Sequence, residues 1–149
     1  MFITQISVYL ENDKGTLRTL TKVLGENNID ILALSIADTT NFGIVRLVTR
    51  KCDTESAVKV LRENGFIAKT SDVTCIAVPN KPAGLDGVLG AVEDLNLSIE
   101  YMYSLNYSIG SKALIVLKLS SEGMQMSEIA DMLSKKGVVM VNQEEIDIL

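Results

Sequence analysis

The sequence predicts an α+β protein built from two tandem βαββαβ units, and three observations carry that prediction. First, the 149-residue chain repeats its own apolar pattern. At an offset of 68, Leu17, Leu20, Leu24, Asn28, Ile29 and Ile31 fall on Leu85, Val88, Val92, Asn96, Leu97 and Ile99. At an offset of 72, Leu61 and Gly65 fall on Leu133 and Gly137, the drift being a loop insertion. Second, each copy switches between period-two and helical apolar spacing in the same order. Third, almost no linker separates the copies, which divide near Asp72–Val73 into residues 1–72 and 73–149.

In the first copy Ile6, Val8 and Leu10 alternate with Gln5, Ser7 and Tyr9, as in a half-buried strand. Residues 16–27 place Leu17, Leu20, Val23 and Leu24 on one helical stripe, stopped by Gly25 and Asn27–Asn28. Strands follow at 30–39 and 43–50 around a turn at Thr40–Phe42. Asp53 or Thr54 is placed to cap a second helix, anchored by Val58 and Leu61 and ended by Asn64–Gly65. Residues 67–72 form the last strand. The second copy repeats this: a strand at 74–78, then a helix carrying Leu85, Val88, Leu89, Val92 and Leu95. Strands at 98–107 and 112–119 flank a turn at Ser108–Ser111. A helix capped by Ser127 carries Ile129, Met132 and Leu133 and ends at Lys136–Gly137, and 138–144 is the closing strand. This order is the ferredoxin-like one, an antiparallel sheet with both helices on one face. The short junction permits face-to-face stacking or, as expected here, edge-to-edge pairing into one eight-stranded sheet without exposed edges.

Composition narrows the function. Net charge is −5; residues 1–72 hold 9 basic and 9 acidic side chains, and residues 73–149 hold 5 and 10. An acidic chain lacks the clustered Lys and Arg that phosphate binding needs, and Val45–Val48 lacks the aromatics of an RNA-recognition sheet, so no nucleic-acid partner is expected. No His is present, which removes the usual general base and the commonest metal ligand. No nucleophile–base spacing stands out, and neither a metal, a cofactor nor catalysis is expected. Cys52 and Cys75, 23 residues apart, make no zinc knuckle or CxxC site and read as buried small hydrophobes. Residues 1–10 carry Thr4, Gln5 and Ser7 and have no basic start or cleavage site. Apolar runs such as Ala113–Leu117 are far short of the ~20 residues of a membrane span. A cytoplasmic protein without a membrane partner is expected.

The chemistry-bearing segment is the turn between first strand and first helix: Glu11–Asn12–Asp13–Lys14–Gly15–Thr16–Leu17 in one copy, Pro79–Asn80–Lys81–Pro82–Ala83–Gly84–Leu85 in the other. Glycine lets a ligand approach the backbone, and the helix start behind it offers unpaired N–H groups and about +0.5 of a charge, a setting for a carboxylate or phosphate. The alternative is a tight turn capped by Asn12 or Asp13. Lys14–Gly15–Thr16 lacks the upstream glycine and residue order of a P-loop.

A turn Asn-x-x-Gly-x-Leu, a helix, then Asn-Ile-x-Ile resembles the ACT domain. Asn12, Gly15, Leu17, Asn28, Ile29 and Ile31 carry the resemblance in the first copy, and Asn80, Pro82, Leu85, Asn96, Leu97 and Ile99 in the second. The whole resembles short stand-alone proteins of two ACT domains. The resemblance implies a non-catalytic regulatory protein that binds a free amino acid where domains pair, with a homodimer and a partner enzyme of amino-acid metabolism as expected partners. The alternative is a ligand-independent docking module or a subunit of such an enzyme. The implied ligand residues are Asn12, Asp13, Lys14, Gly15, Thr16, Leu17, Asp30 and Ile31, and Asn80, Pro82, Ala83, Gly84, Leu85, Ser98 and Ile99. The amides of Gly15, Thr16 and Leu17 suit a carboxylate, and Asp30 suits an ammonium.

The copies depart from the pattern differently. Lys14 stands where the family usually has proline, and Ala83 stands at the glycine position. If φ is positive there, alanine costs about 1 kcal/mol or more, so unequal sites are expected, with the Gly15 turn the better binder. Tyr101, Tyr103 and Tyr107 lie at even spacing in one strand. They make an interface, or Tyr101 and Tyr103 wall a pocket, provided no bulge breaks the parity.

Overall fold

A computed structural model of the protein describes residues 2–11, 13–38 and 42–149. Of the turn expected at Thr40–Phe42, Thr40 and Asn41 lie outside the described residues, and Phe42 is already the first residue of a strand. The elements run β1 (Phe2–Glu11), α1 (Thr16–Glu26), β2 (Ala33–Asp38), β3 (Phe42–Val48), α2 (Lys51–Glu63), β4 (Ile67–Pro79), α3 (Gly84–Asp94), β5 (Ser98–Ile109), β6 (Lys112–Ser120), α4 (Met126–Lys135), β7 (Val139–Val141) and α5 (Gln143–Asp147). Thr4–Asp72 forms one compact unit, and Val73–Leu149, with Phe2 and Ile3, forms the other.

The first unit has strand order β2-β3-β1-β4. Both β1 and β2 are antiparallel to β3, with Val8 opposite Val45 and Ile36 opposite Val45. Ile6, Val8, Leu10, Val45 and Leu47 turn one sheet face toward Leu20, Val23 and Leu24 of α1 and Val58 and Leu61 of α2. The second unit repeats the order as β5-β6-β4-β7, with Cys75 of β4 opposite Val116 on one side and Val141 on the other. Its core joins Ile76, Val78, Ile115 and Leu117 to Val88, Val92, Ile129 and Leu133.

All four long helices stop in the same way. Asn28, Gly65, Asn96 and Gly137 hold φ of +57, +86, +54 and +87°. Each donates its N–H to the carbonyl three residues back, and the following Ile29, Phe66, Leu97 or Val138 donates to Leu24, Leu61, Val92 or Leu133. These are Schellman stops, with the residue after the left-handed one turned into the core.

Several expectations are corrected. Among the described residues the paired strands number seven, not eight. No Gly or Pro interrupts Ile67–Val78, so the two strands expected at 67–72 and 74–78 are one continuous β4. The closing strand is only Val139–Val141. Asn142 then caps α5, its Oδ1 accepting from the Glu145 N–H at 2.9 Å while its own N–H donates to Glu145 Oε2 at 2.8 Å. Ile146 of α5 is buried. It is absent from the core that joins α3 and α4 to the sheet, so not every helix packs on that core.

Helix α2 begins at Lys51, without a side-chain cap from Asp53 or Thr54. Thr54 is buried and spends its hydroxyl on the Arg50 carbonyl at 3.2 Å. Cys52 is therefore on an exposed first helical turn, not buried; Cys75 is buried as expected. Helix α4 is capped by Gln125, whose N–H donates to Glu128 at 3.1 Å, and Ser127 sits inside it. Gln5 is buried, although alternation points it outward, and its amide donates to Ser7 Oγ at 3.3 Å. Leu85 is exposed rather than on the buried stripe.

Candidate functional site

The β1–α1 turn is built by its own backbone. The Asp13 N–H donates to the Glu11 carbonyl at 2.8 Å, and the Thr16 hydroxyl donates to the Asp13 carbonyl at 3.0 Å. Gly15 caps α1 with φ +86°, and its carbonyl accepts from both the N–H and the hydroxyl of Thr19, at 3.0 and 3.1 Å. No side chain caps α1 among the described residues. Asn12, one of the expected ligand contacts, lies outside the described residues.

A cleft of about 480 Å3 opens beside this turn. It brings together four expected residues, Asp13, Gly15, Thr16 and Leu17, with Leu10, Glu11, Arg18, Ile36, Asp38 and Gly43. Lys14 is exposed and does not line it. One wall is apolar, from Leu10, Leu17 and Ile36. The rim carries three carboxylates, Glu11, Asp13 and Asp38, against the single guanidinium of Arg18. Chemically, such a cleft offers amide donors and Arg18 to a carboxylate, and carboxylates to an ammonium. Sequence reasoning missed Arg18, Ile36 and Asp38. Arg18 was legible as the third residue of the helix, whereas Ile36 and Asp38 reach the site only through the β2–β3 register. A second recess of about 330 Å3 shares Leu10, Glu11, Asp13 and Thr16 and adds Tyr9, Phe42, Phe66 and Ile67. Lys69 stands over the Tyr9 ring, 5.8 Å from its centroid.

Asp30 and Ile31 do not meet the Gly15 turn within this unit. They follow the C-terminus of α1, whose 11 residues span about 16 Å at 1.5 Å each. Ile31 packs on the core, and Asp30 Oδ2 accepts from Arg50 Nη1 at 3.0 Å. A half-exposed pair of this kind contributes little stability, about 0–1 kcal/mol, but it already gives the Asp30 carboxylate a cation.

The second turn has the same backbone path. Ala83 caps α3 with φ +66° and ψ +1°, the left-handed conformation anticipated for the glycine position. The Lys81 N–H donates to the Pro79 carbonyl at 2.9 Å, the Asn80 N–H to Ser111 at 3.1 Å and the Gly84 N–H to Lys81 at 3.0 Å. Gly84 is pressed against the Pro79 carbonyl oxygen, where a side chain would collide. Asn80, Pro82 and Ala83 are exposed. Ser98 and Ile99 pair with Ser120 and Leu119, whereas Pro79 pairs with Lys112 at the opposite end of β6, so these residues do not meet the Ala83 turn within their unit. Tyr101 and Tyr103 share a face: their rings stack at 6.4 Å with planes 23° apart, and Tyr103 is buried. The register breaks between Ser104 and Ser108, the stretch that holds Tyr107.

Burial pushes the Cys75 thiol from 9.0 up to about 12, with Glu145 adding to the shift. No group of three or more His, Cys, Asp or Glu able to hold a metal occurs among the described residues, and no helix among them is long and apolar enough to cross a membrane.

The comparisons with known proteins agree with this architecture. No curated protein matches the sequence. Among solved structures, the Bacteroides thetaiotaomicron protein BT0572 is similar with a TM-score of 0.85 and 34% identity, over 100% of this chain and 98% of that one. The ligand-free regulatory subunit of aspartate kinase from Thermus thermophilus is similar in fold, with a TM-score of 0.60, 14% identity, and coverage of 89% and 91%. The corresponding Thermus flavus subunit gives 0.61 and 16%, over 89% and 88%. The sequence matches the family described as the ACT domain pair over residues 1–146. With two βαββαβ units and a glycine-capped first helix behind that match, the chain belongs to the family of paired ACT domains.

Proposed function

We propose that the protein is a non-catalytic, cytoplasmic regulator that binds a free amino acid at its ACT domains, residues 1–72 and 73–149, and acts as a homodimer on an enzyme of amino-acid metabolism. The observation that carries this reading is the cleft beside Gly15, whose lining combines a helix start without a side-chain cap, Arg18, three carboxylates and the apolar Leu10, Leu17 and Ile36. A zwitterion with an apolar or polar side chain fits that distribution of charge. Gly15, Thr16, Leu17 and Arg18 take the α-carboxylate end, and Asp13, Asp38 or Glu11 takes the ammonium. Family membership and the fold shared with two aspartate kinase regulatory subunits support a regulatory role. The contribution of Asp30, Ile31, Ser98 and Ile99 then comes from a neighbouring domain. Ligand bridging stabilises one pairing of domains and so changes how the partner enzyme docks.

A second reading, a docking module that needs no small molecule, is favoured by the exposed Ile36, Phe42 and Ile67 around the same end of the unit. A thermal-shift screen of the free amino acids separates the two. At 100 times Kd a true ligand adds about 2.7 kcal/mol and a clear rise in Tm, which Gly15→Val abolishes. No shift with any amino acid leaves the docking module.

A further inference from the structure

Among the described residues of Thr4–Asp72, the large apolar side chains that stand exposed are Tyr9, Ile36, Phe42 and Ile67. Ile36 lines the Gly15 cleft, and the other three line the recess of about 330 Å3 beside it. Phe66 adds a further aromatic ring to that recess. Its charges are of one sign: Glu11 and Asp13 line it, and no Lys or Arg does among the described residues. Asn64 and Gly65 bring in the C-terminus of α2, the end of a helix that carries about −0.5 of a charge. Arg62, in the last turn of α2, is spent elsewhere, its guanidinium donating to the Ala68 carbonyl at 3.1 and 2.8 Å. Aromatic faces, carboxylates and a helix C-terminus all attract a cation. Lys69 already shows that attraction: its ammonium lies 5.8 Å from the Tyr9 centroid, inside the ~6 Å at which a cation feels the ring. Lys69 is exposed on a flexible four-carbon stem, so it can yield that ring to another cation.

We propose that this recess binds an alkylammonium group, its carbon chain against the rings and Ile67 and its charge held by Glu11 and Asp13. A compact inorganic cation makes no use of the rings and the isoleucine, and a neutral apolar group makes no use of the carboxylates. A primary amine on an alkyl chain uses both. Such an amine has two sources. Leu10, Glu11, Asp13 and Thr16 line the recess and the Gly15 cleft alike, so the group can be the side chain of a basic amino acid whose α-carboxylate lies at Gly15. That source rests on the reading above and narrows its ligand to one class. The other source is a free diamine, which needs no part of the Gly15 cleft.

The test is isothermal titration of the full chain, at low ionic strength, with lysine, norleucine and 1,5-diaminopentane. Norleucine is lysine without the side-chain ammonium, and the diamine is lysine without the carboxylate. Lysine or the diamine is expected to bind more tightly than norleucine. Tyr9→Leu and, separately, Phe42→Leu leave the net charge unchanged and weaken amine binding by about two- to fivefold each, whereas Tyr9→Phe keeps the ring and the affinity. Both positions are exposed, and far-UV circular dichroism checks that each variant is folded. Lysine bound more tightly than the diamine, and lost with Gly15→Val, identifies the amino-acid source. A diamine bound at least as tightly as lysine, and untouched by Gly15→Val, identifies the free amine. Norleucine bound as tightly as both amines, or amine binding that survives both leucine changes, overturns the proposal. Silence from both lysine and the diamine overturns it too, whatever other amino acids do. The amino-acid reading fails only when the whole thermal-shift screen is silent, so the two failures remain separate results.

Discussion

Gly15 and Ala83 hold nearly one backbone conformation, φ +86° and +66°, yet only one of them is the residue that region favours. Nothing lies within 4 Å of a methyl group built on Gly15, so Gly15→Ala changes backbone strain alone. It is expected to lower unfolding stability by about 1 kcal/mol, and Ala83→Gly to raise it by up to about 1 kcal/mol, both read from urea midpoints at unchanged m. That Ala83 is strained could be read from the sequence, because aligning the two turns puts it on Gly15. The burial of Gln5 could not, because its exposure depends on what covers the second face of the sheet. Cys75 gives a second prediction. Its folded pKa of about 12 lies above the ordinary thiol value of 9.0, so the unfolded chain loses this proton first. Stability from the buried thiol is full below pH 9 and is lost as pH rises from 9 toward 12, by about 1.4 kcal/mol per pH unit at most. Urea melts of wild type and Cys75→Val should diverge in slope over that window and run parallel below it. In the native protein a thiol reagent should titrate Cys52 and spare Cys75.

Elements stand or fall on their ends. The four Schellman stops use Asn in α1 and α3 and Gly in α2 and α4, so the asparagine of each ACT-like motif has a backbone role, φ near +55°, before any contact with a ligand. Asn28→Gly is therefore expected to keep or slightly raise stability, while Asn28→Ala costs about 1 kcal/mol, measured by chemical denaturation. An asparagine kept for its side chain would lose ligand response in both variants alike. Stops of this kind were legible because they depend on residues adjacent in sequence. The starts were less so. Helix α2 begins before Asp53 because Thr54 turns its hydroxyl back to Arg50, a choice fixed by burial against Thr49. Helix α5 was hidden although Asn142 and Glu145 form a capping box, because Val138–Val141 reads as a strand and nothing local says how soon it ends. The Gly15 turn was readable for the same local reason as the stops. The cleft was not, because Ile36 and Asp38 enter it from a strand 20 residues away whose register the sequence does not state.

At the scale of the molecule, the division of the chain does not follow the repeat. The pattern divides near residue 72, but Phe2 and Ile3 cluster with Val73–Leu149 while the rest of β1 belongs with Thr4–Asp72. Ile3 is 1% exposed. Truncating it removes about 2–5 kcal/mol of buried apolar contact, and that loss should fall on the unit to which it is packed. Ile3→Ala is thus expected to weaken hydrogen-exchange protection first in β4 beyond Val73 and in β6, with β3 less affected, although position 3 opens the first repeat. The same reasoning says that a fragment of residues 73–149, cut at the sequence boundary, lacks residues of its own compact unit and melts below the corresponding region of the intact chain. Equal loss of protection in β3 and β6 would mean that the units unfold as one. Loss confined to β3 would mean that Ile3 belongs with the first unit, and the repeat boundary would then be the physical one.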